Sequence, residues 1–164
     1  GEYFVLTLHR PANVDAEQKL KELLDTIIEG SKGLPIIFPV HPRTAKNLQT
    51  LGIQTNHLFM TDPMAYLEFN YLVKHAKAVI TDSGGITEET TVMRVPCMTL
   101  RNNTERPETV TVGTNDLIGT DPKNLPPAFD RLFKGEWKKG DIPALWDGRT
   151  GERIVAILDQ LYNH

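Results

Sequence analysis

Residues 78–100 read AVITDSGGITEETTVMRVPCMTL, and this stretch decides the fold. AVIT at 78–81 is a short continuous apolar run, the pattern of a strand buried on both faces. Gly84-Gly85 then opens a helix that continues to about Arg94, and CMTL at 97–100 is a second strand of the same kind. Strand, tight turn, helix and strand in direct succession make a βαβ unit, whose crossover helix leaves its two strands parallel.

Working outward, the same alternation recurs. Upstream lie strand-like runs at YFVLTL 3–8, PIIFPV 35–40 and HLFMT 57–61. Between the first two, Leu20, Leu23, Leu24, Ile27 and Ile28 fall at helical spacing over residues 16–30, and Gly30 or Gly33 stops the run. HPRTAKNLQTL at 41–51 suggests a turn and a short helix. Residues 63–75 start at Pro63 and repeat apolar side chains at Leu67, Tyr71 and Leu72, which predicts another helix with Tyr66 and Phe69 at core positions. Downstream, residues 109–118 add a further strand, 123–133 and 151–162 read as helices, and 135–151 is a polar loop containing glycine. The expectation is one α/β domain over residues 1–164, a parallel sheet in three layers with helices on both faces.

The 164 residues are 40% hydrophobic and 24% charged, an ordinary globular composition with a core of real size. A net charge of −3 provides no basic field for nucleic acid or an anionic membrane. The longest apolar run, LPIIFPV at 34–40, is strand-sized and far short of a membrane span, and no signal peptide is visible. Cys97 is the single cysteine, so no disulfide forms within the chain, which suits a cytoplasmic setting. Asn102-Asn103-Thr104 matches a glycosylation pattern that arises by chance as well. The chain opens at Gly1, just before a strand, without an initiator methionine, and is expected to be a domain of a longer protein.

Ligands of open parallel sheets bind beyond the carboxyl ends of the strands. Three polar clusters fall there: His9-Arg10, His41-Pro42-Arg43 and Asp82-Ser83-Gly84-Gly85. Ser83, Gly84 and Gly85 present backbone N–H groups at a helix N-terminus, where a phosphate can approach closely; a plain serine cap explains the same residues. Glu89 lies four residues after Gly85 on one helical face, leaning back toward the N-terminus, and can accept hydrogen bonds from a ribose diol or stay solvated beside Glu88. Arg106, in TERPE at 104–108, can grip a diphosphate or pair with Glu105 or Glu108. His9 can act as acid, base or phosphate donor, or cap the strand structurally. Phe69 can stack on a base or fill the core.

Several chemistries drop out. No GxGxxG fingerprint and no P-loop occur; residues 135–140 have only the glycine spacing, with Asp141 where a lysine is required. There is no HExxH, and one cysteine excludes a thiolate zinc cluster. Ser83 is not in a GxSxG elbow, because Thr81 precedes it by two. No metal site and no cofactor are expected.

Taken together, LHRPANVD at 8–15, HPRT at 41–44, TDSGGITEE at 81–89, LRNNTERPE at 100–108 and VGTNDLIG at 112–119 stand in an order and spacing that resemble the non-hydrolysing UDP-N-acetylglucosamine 2-epimerases. The resemblance covers nearly the whole chain and is to the C-terminal half of that family. It implies a Rossmann-like domain that is one half of a GT-B fold. It also implies interconversion of UDP-GlcNAc and UDP-ManNAc, by elimination of UDP to a 2-acetamidoglucal and re-addition. By the resemblance His9 is the active-site histidine, with Arg10 beside it. Ser83, Gly84 and Gly85 form the diphosphate loop, Glu89 holds the ribose, Phe69 lies beside the uracil and Arg106 at the phosphates. His41 and Arg43 match positions that contact a second, allosteric UDP-GlcNAc in some bacterial members.

The chain departs from the usual HRREN or HREEN at Pro11-Ala12, and from the usual glutamine at Met64, which removes an amide able to read the uracil edge. Thr87 replaces the glutamine of a common QEE. The carboxylates that move the C2 proton belong, by the resemblance, to an N-terminal domain. That domain is therefore an expected partner, the isolated chain is expected to bind UDP weakly without turnover, and the full-length protein is expected to be a homodimer. The rivals are the donor domain of a GT-B glycosyltransferase, a hydrolysing epimerase releasing ManNAc and UDP, and a non-catalytic nucleotide-sugar sensor.

Overall fold

The computed structural model describes residues 2–40, 44, 45, 48, 51–53 and 55–162. His41 and Arg43 lie outside the described residues.

Six short strands form one sheet: β1 (Phe4–Thr7), β2 (Ile36–Pro39), β3 (Leu58–Thr61), β4 (Ala78–Thr81), β5 (Cys97–Thr99) and β6 (Asn115–Leu117). Their spatial order is β3-β2-β1-β4-β5-β6, and every neighbouring pair is parallel. The order runs one way from β1 and the other way from β4. The connections therefore diverge between these two strands and open a crevice at their carboxyl ends. β1 and β4 pair in register from Phe4 opposite Ala78 to Thr7 opposite Thr81, so both chains leave the sheet at the same level.

Side-chain alternation divides the core into two layers. Phe4, Leu6 and Leu8 of the β1 segment face one side with Ile36, Phe38, Ile80 and Met98, under helices α2 (Glu17–Gly30) and α6 (Leu125–Phe133). Val5, Val79 and Cys97 face the other side, under α3 (Tyr66–Lys74) and α4 (Gly84–Met93). The stripe Leu20, Leu23, Leu24 and Ile27 is buried as the spacing predicts. α2 and α6 meet where Gly30 faces Phe129: a Cβ there would lie 2.2 Å from the ring, so only glycine lets the two helices approach this closely. Phe129 in turn makes an edge contact with Phe4, the ring centroids 5.5 Å apart.

Four local expectations are corrected. LHRPANVD contains a one-turn helix, α1 (Pro11–Val14), with Pro11 at its first position, where a missing N–H is harmless. Residues 109–118 are not one strand: α5 (Pro107–Thr111) comes first and β6 is confined to Asn115–Leu117. The predicted core face of α3 is rotated. Leu67, Tyr66 and Tyr71 are exposed, while Val73 is buried and Phe69 and Leu72 pack against the core. A nine-residue helix with apolar side chains all round offers no unique face to periodicity alone. The residues before Leu125 form a 3₁₀ turn at Pro122–Asn124 rather than the first turn of α6. The final helix, α7 (Thr150–Tyr162), buries no side chain among the described residues and is tied to the preceding loop through Arg153 and Asp147.

No helix among the described residues is long and apolar enough to cross a membrane.

Candidate functional site

Two of the three expected clusters meet at the crevice, and Asp82 is their centre. This residue follows β4, and its side chain has no exposure at all. Its carboxylate accepts the backbone N–H of His9 at 3.2 Å and of Arg10 at 3.0 Å, and the Asn13 Nδ2 at 3.1 Å. The His9 Nδ1 lies 2.8 Å from Asp82 Oδ1. The carbonyl of Asp82 accepts the Arg10 Nε at 2.9 Å. A buried carboxylate must be surrounded by donors, and among the described residues these come from the segment after β1. The purpose of α1 is now visible: its single turn brings Asn13 back under the crevice, where Nδ2 also reaches the Leu100 carbonyl at 3.3 Å.

Beside this hub the two strand ends are joined by a contact of 2.6 Å between the Thr7 and Thr81 hydroxyls. The Thr81 Oγ1 also accepts the Ser83 N–H at 3.0 Å, which shapes the turn into α4. Ser83 occupies the N-cap position in an extended conformation, but its side chain makes no capping hydrogen bond. The simple capping explanation of Ser83 therefore fails, and the first N–H groups of α4 point into the crevice together with the helix dipole. Gly85 has open space around it: a Cβ would meet nothing within 4 Å. At Gly84 a Cβ would lie 3.3 Å from Arg101 Nη1 and 3.4 Å from Glu105 Oε2, so the loop after β5 packs against the turn.

That loop holds a residue the sequence reading missed. Arg101 is buried, and its guanidinium bonds Glu105 through both terminal nitrogens, at 2.9 and 2.6 Å, and Asn103 at 3.2 Å. The Arg101 guanidinium beside it holds the Glu105 carboxyl down at about 2. The signal was available: Arg101 lies two residues past the end of β5, one strand over from β4 at the crevice. Arg106 pairs with neither expected carboxylate, Glu105 or Glu108, and meets Glu105 only at its backbone carbonyl, 3.3 Å from Nη1. It donates from Nε to Glu88 at 2.6 Å, across to α4. Glu105 is engaged by Arg101 instead.

Glu89 faces α3 rather than open solvent. Burial pushes its carboxyl up from the ordinary range, and the side chains of Tyr66 and Asn70 partly offset that rise. It borders an open cavity of about 290 Å³ lined by Tyr66, Glu88, Glu89, Val92, Met93 and Trp146. Phe69 is half-buried against the α3–α4 core layer. Among the described residues no group of three or more histidine, cysteine, aspartate or glutamate side chains could hold a metal ion. Cys97 is fully buried, and burial pushes its thiol up to about 11, so it is no nucleophile here.

An all-parallel sheet reversing between β1 and β4, with an uncapped helix N-terminus and cationic side chains at that reversal, defines a doubly wound domain of the kind that forms the C-terminal half of GT-B proteins. At the level of fold alone, an Escherichia coli heptosyltransferase solved with ADP has this architecture, at a TM-score of 0.58 and 18% identity over 83% of this chain and 44% of that one. The family model for UDP-N-acetylglucosamine 2-epimerase matches residues 1–159, and the chain belongs to this family. The Methanocaldococcus jannaschii UDP-N-acetylglucosamine 2-epimerase is 42% identical over 166 aligned positions, covering 96% of this chain and 44% of the relative. Its crystal structure in complex with UDP-GlcNAc and UDP superposes at a TM-score of 0.79, covering 96% of this chain and 45% of that one. A Pseudomonas aeruginosa UDP-2,3-diacetamido-2,3-dideoxy-D-glucuronate 2-epimerase is 31% identical over 97% of this chain and 45% of its own length. The chain thus spans about half the length of the relatives it matches.

Proposed function

We propose that this chain is the UDP-binding half of an enzyme that interconverts UDP-GlcNAc and UDP-ManNAc by elimination and re-addition of UDP, and that alone it does not turn over. The observation that carries the reading is the meeting, at one switch point, of His9 and Arg10 with the uncapped N-terminus of α4. In this reading the N-terminus of α4 around Ser83, Gly84 and Gly85 takes the diphosphate, because the Ser83 side chain leaves it uncapped and the helix dipole favours an anion there without side-chain obstruction. Glu89 accepts from the ribose diol, one and a half turns further along the same helix. Phe69 lies beside the base. Arg10 and Arg106 supply positive charge, Arg106 by leaving Glu88 for the phosphates. His9 stands at the reacting sugar phosphate. The C2 proton is moved by carboxylates of the other half of the enzyme; that the relatives are about twice as long supports this division. The working enzyme is proposed to be a cytoplasmic homodimer.

A second reading keeps the chemistry and changes the sugar. The P. aeruginosa relative is named for a diacetamido glucuronate, and Met64 and Pro11-Ala12 depart from the family's usual residues around the ligand.

Titration with UDP, followed by two-dimensional amide NMR with UMP and ADP as controls, tests the site. Shifts at Ser83–Glu89, Phe69 and Arg106 that are strongest with UDP are expected. Shifts elsewhere, or equal shifts with ADP, would reject it. In the full-length protein, incorporation of solvent deuterium at C2 of UDP-GlcNAc tests the reaction and separates it from glycosyl transfer.

A further inference from the structure

We propose that Asp82 is a positioning residue that fixes His9 as its Nδ1–H tautomer and leaves Nε2 as the only ring nitrogen available to a ligand. The inference rests on the reading that His9 meets the sugar diphosphate, and it adds what the histidine must do there.

The argument starts from how Asp82 is held. It is fully buried, and three donors fix it independently of the imidazole: His9 N–H, Arg10 N–H and Asn13 Nδ2. Its place is therefore set by backbone and by α1, not by the ring. A carboxylate oxygen surrounded by N–H donors accepts and does not donate. The ring nitrogen that faces it at 2.8 Å, Nδ1, must carry the proton. The hydrogen bond at one imidazole nitrogen decides the state of the other. Nε2 is then a bare lone pair in the neutral ring and an N–H in the cation. The His9 side chain is 58% exposed, so Nε2 stands on the open side of the ring.

The consequence is chemical. An ionised phosphate oxygen accepts hydrogen bonds and cannot supply one. A neutral His9 of this tautomer therefore has nothing to offer it, and His9 binds a phosphate only as the imidazolium. Diphosphate binding is accordingly coupled to proton uptake by His9 whenever the free protein holds the ring neutral. When UDP leaves the sugar, the same Nε2–H is placed to stay with the departing phosphate. Among the described residues, the charged groups around the ring are Asp82 from the β4–α4 turn and Arg10 from its own segment. Beyond Arg10 stand Arg101 and Glu105 from the loop after β5. None of them offers an alternative carboxylate to Nδ1 in the structure. An Asp82→Asn side chain would keep its Oδ1 on the two backbone N–H groups and turn an NH₂ toward the ring. Nδ1 would then become the acceptor and Nε2 the proton carrier, the change of tautomer known from carboxylate–histidine pairs.

The first readout needs no ligand. Long-range ¹H–¹⁵N correlation spectra of ¹⁵N-histidine-labelled protein, with His9 assigned through His9→Gln, are recorded at about pH 8, above the ordinary histidine range. The Nδ1–H pattern is expected for His9; an Nε2–H pattern, or the mixture of a free side chain, overturns the proposal. The wild-type spectrum alone decides this, so a D82N protein that failed to fold would not shield it. The second readout is calorimetric titration with UDP at the same pH in two buffers of different ionisation enthalpy. Wild-type protein is expected to take up about one proton per UDP, while D82N, whose neutral ring already presents Nε2–H, takes up markedly less. Equal uptake by the two proteins would overturn the role of Asp82, since a purely structural residue would change affinity and not proton count. If His9 has the Nδ1–H tautomer and UDP does not bind at all, the tautomer stands and it is the nucleotide reading that fails.

Discussion

His9 and Arg106, at the crevice, are held in opposite ways. His9 is anchored on a fully buried carboxylate that three other donors fix in place, while Arg106 rests on Glu88, with both partners substantially exposed. The first arrangement is built into the fold: Asp82 cannot move without stranding backbone N–H groups. The second is exchangeable, because an exposed ion pair is screened by water and salt and competes on even terms with an incoming phosphate. One group is preorganised and the other is parked, which suits the proposed site, where the first would stand at the reacting centre and the second would be released to the diphosphate.

The largest expected effect breaks the rigid arm. Asp82→Ala takes the acceptor from two backbone N–H groups and leaves the Asn13 amide only the Leu100 carbonyl, and is expected to lower unfolding stability by about 3–5 kcal/mol. Urea denaturation measures it; a loss under about 1 kcal/mol would place Asp82 on the footing of a surface pair and dissolve the contrast.

Next to Glu88 on α4 stands Glu89, half-buried, its carboxyl pushed up by that burial. Glu89→Gln is expected to weaken UDP binding roughly tenfold or more, the scale of a hydrogen bond to a charged acceptor. The pH dependence has a definite sign. Because burial raises the carboxyl in the free protein, acidification protonates it at a higher pH than an ordinary carboxylate and removes an acceptor. The preference for UDP over its 2′-deoxy analogue should therefore shrink as pH falls through that window, in wild type and not in Glu89→Gln. A ratio that is flat with pH in wild type would remove Glu89 from the ribose.

The smallest effect tests the exchangeable arm. Glu88→Ala is expected to leave the denaturation midpoint unchanged and to hold or modestly tighten UDP affinity, since Arg106 is then free for the phosphates. A clear loss of stability, or weaker binding, would show that the Glu88–Arg106 pair is structural after all.

Much of this was legible in the chain. The strands around residues 4–7, 36–39, 58–61, 78–81 and 97–99 are short apolar runs bounded by glycine, proline and polar residues, and those signals are local. The switch-point placement of His9, Arg10 and Ser83–Gly85 follows from their positions just past strand ends. The face of α3 was not legible, because Leu67 and Tyr71 satisfy helical spacing as well as the residues that pack. The helix at Pro11–Val14 was hidden because one turn carries no periodicity. The partner of Arg106 was misread because the nearest acid in sequence, Glu105, is taken by Arg101, a competition visible only in space.

By itself, then, the sequence determined the parallel α/β architecture, the family, and which residue types arrive at the crevice, because alternation, glycine turns and strand-end residues are written in neighbouring positions. The tertiary structure decided the pairings: Asp82 with His9, Arg101 with Glu105, Arg106 with Glu88, and Glu89 against Tyr66 and Asn70. Several of these join residues far apart along the chain, and all depend on which donor reaches a given carboxylate first. That is settled by sheet order and burial, since a carboxylate withdrawn from water must accept from whatever donors the fold brings within reach.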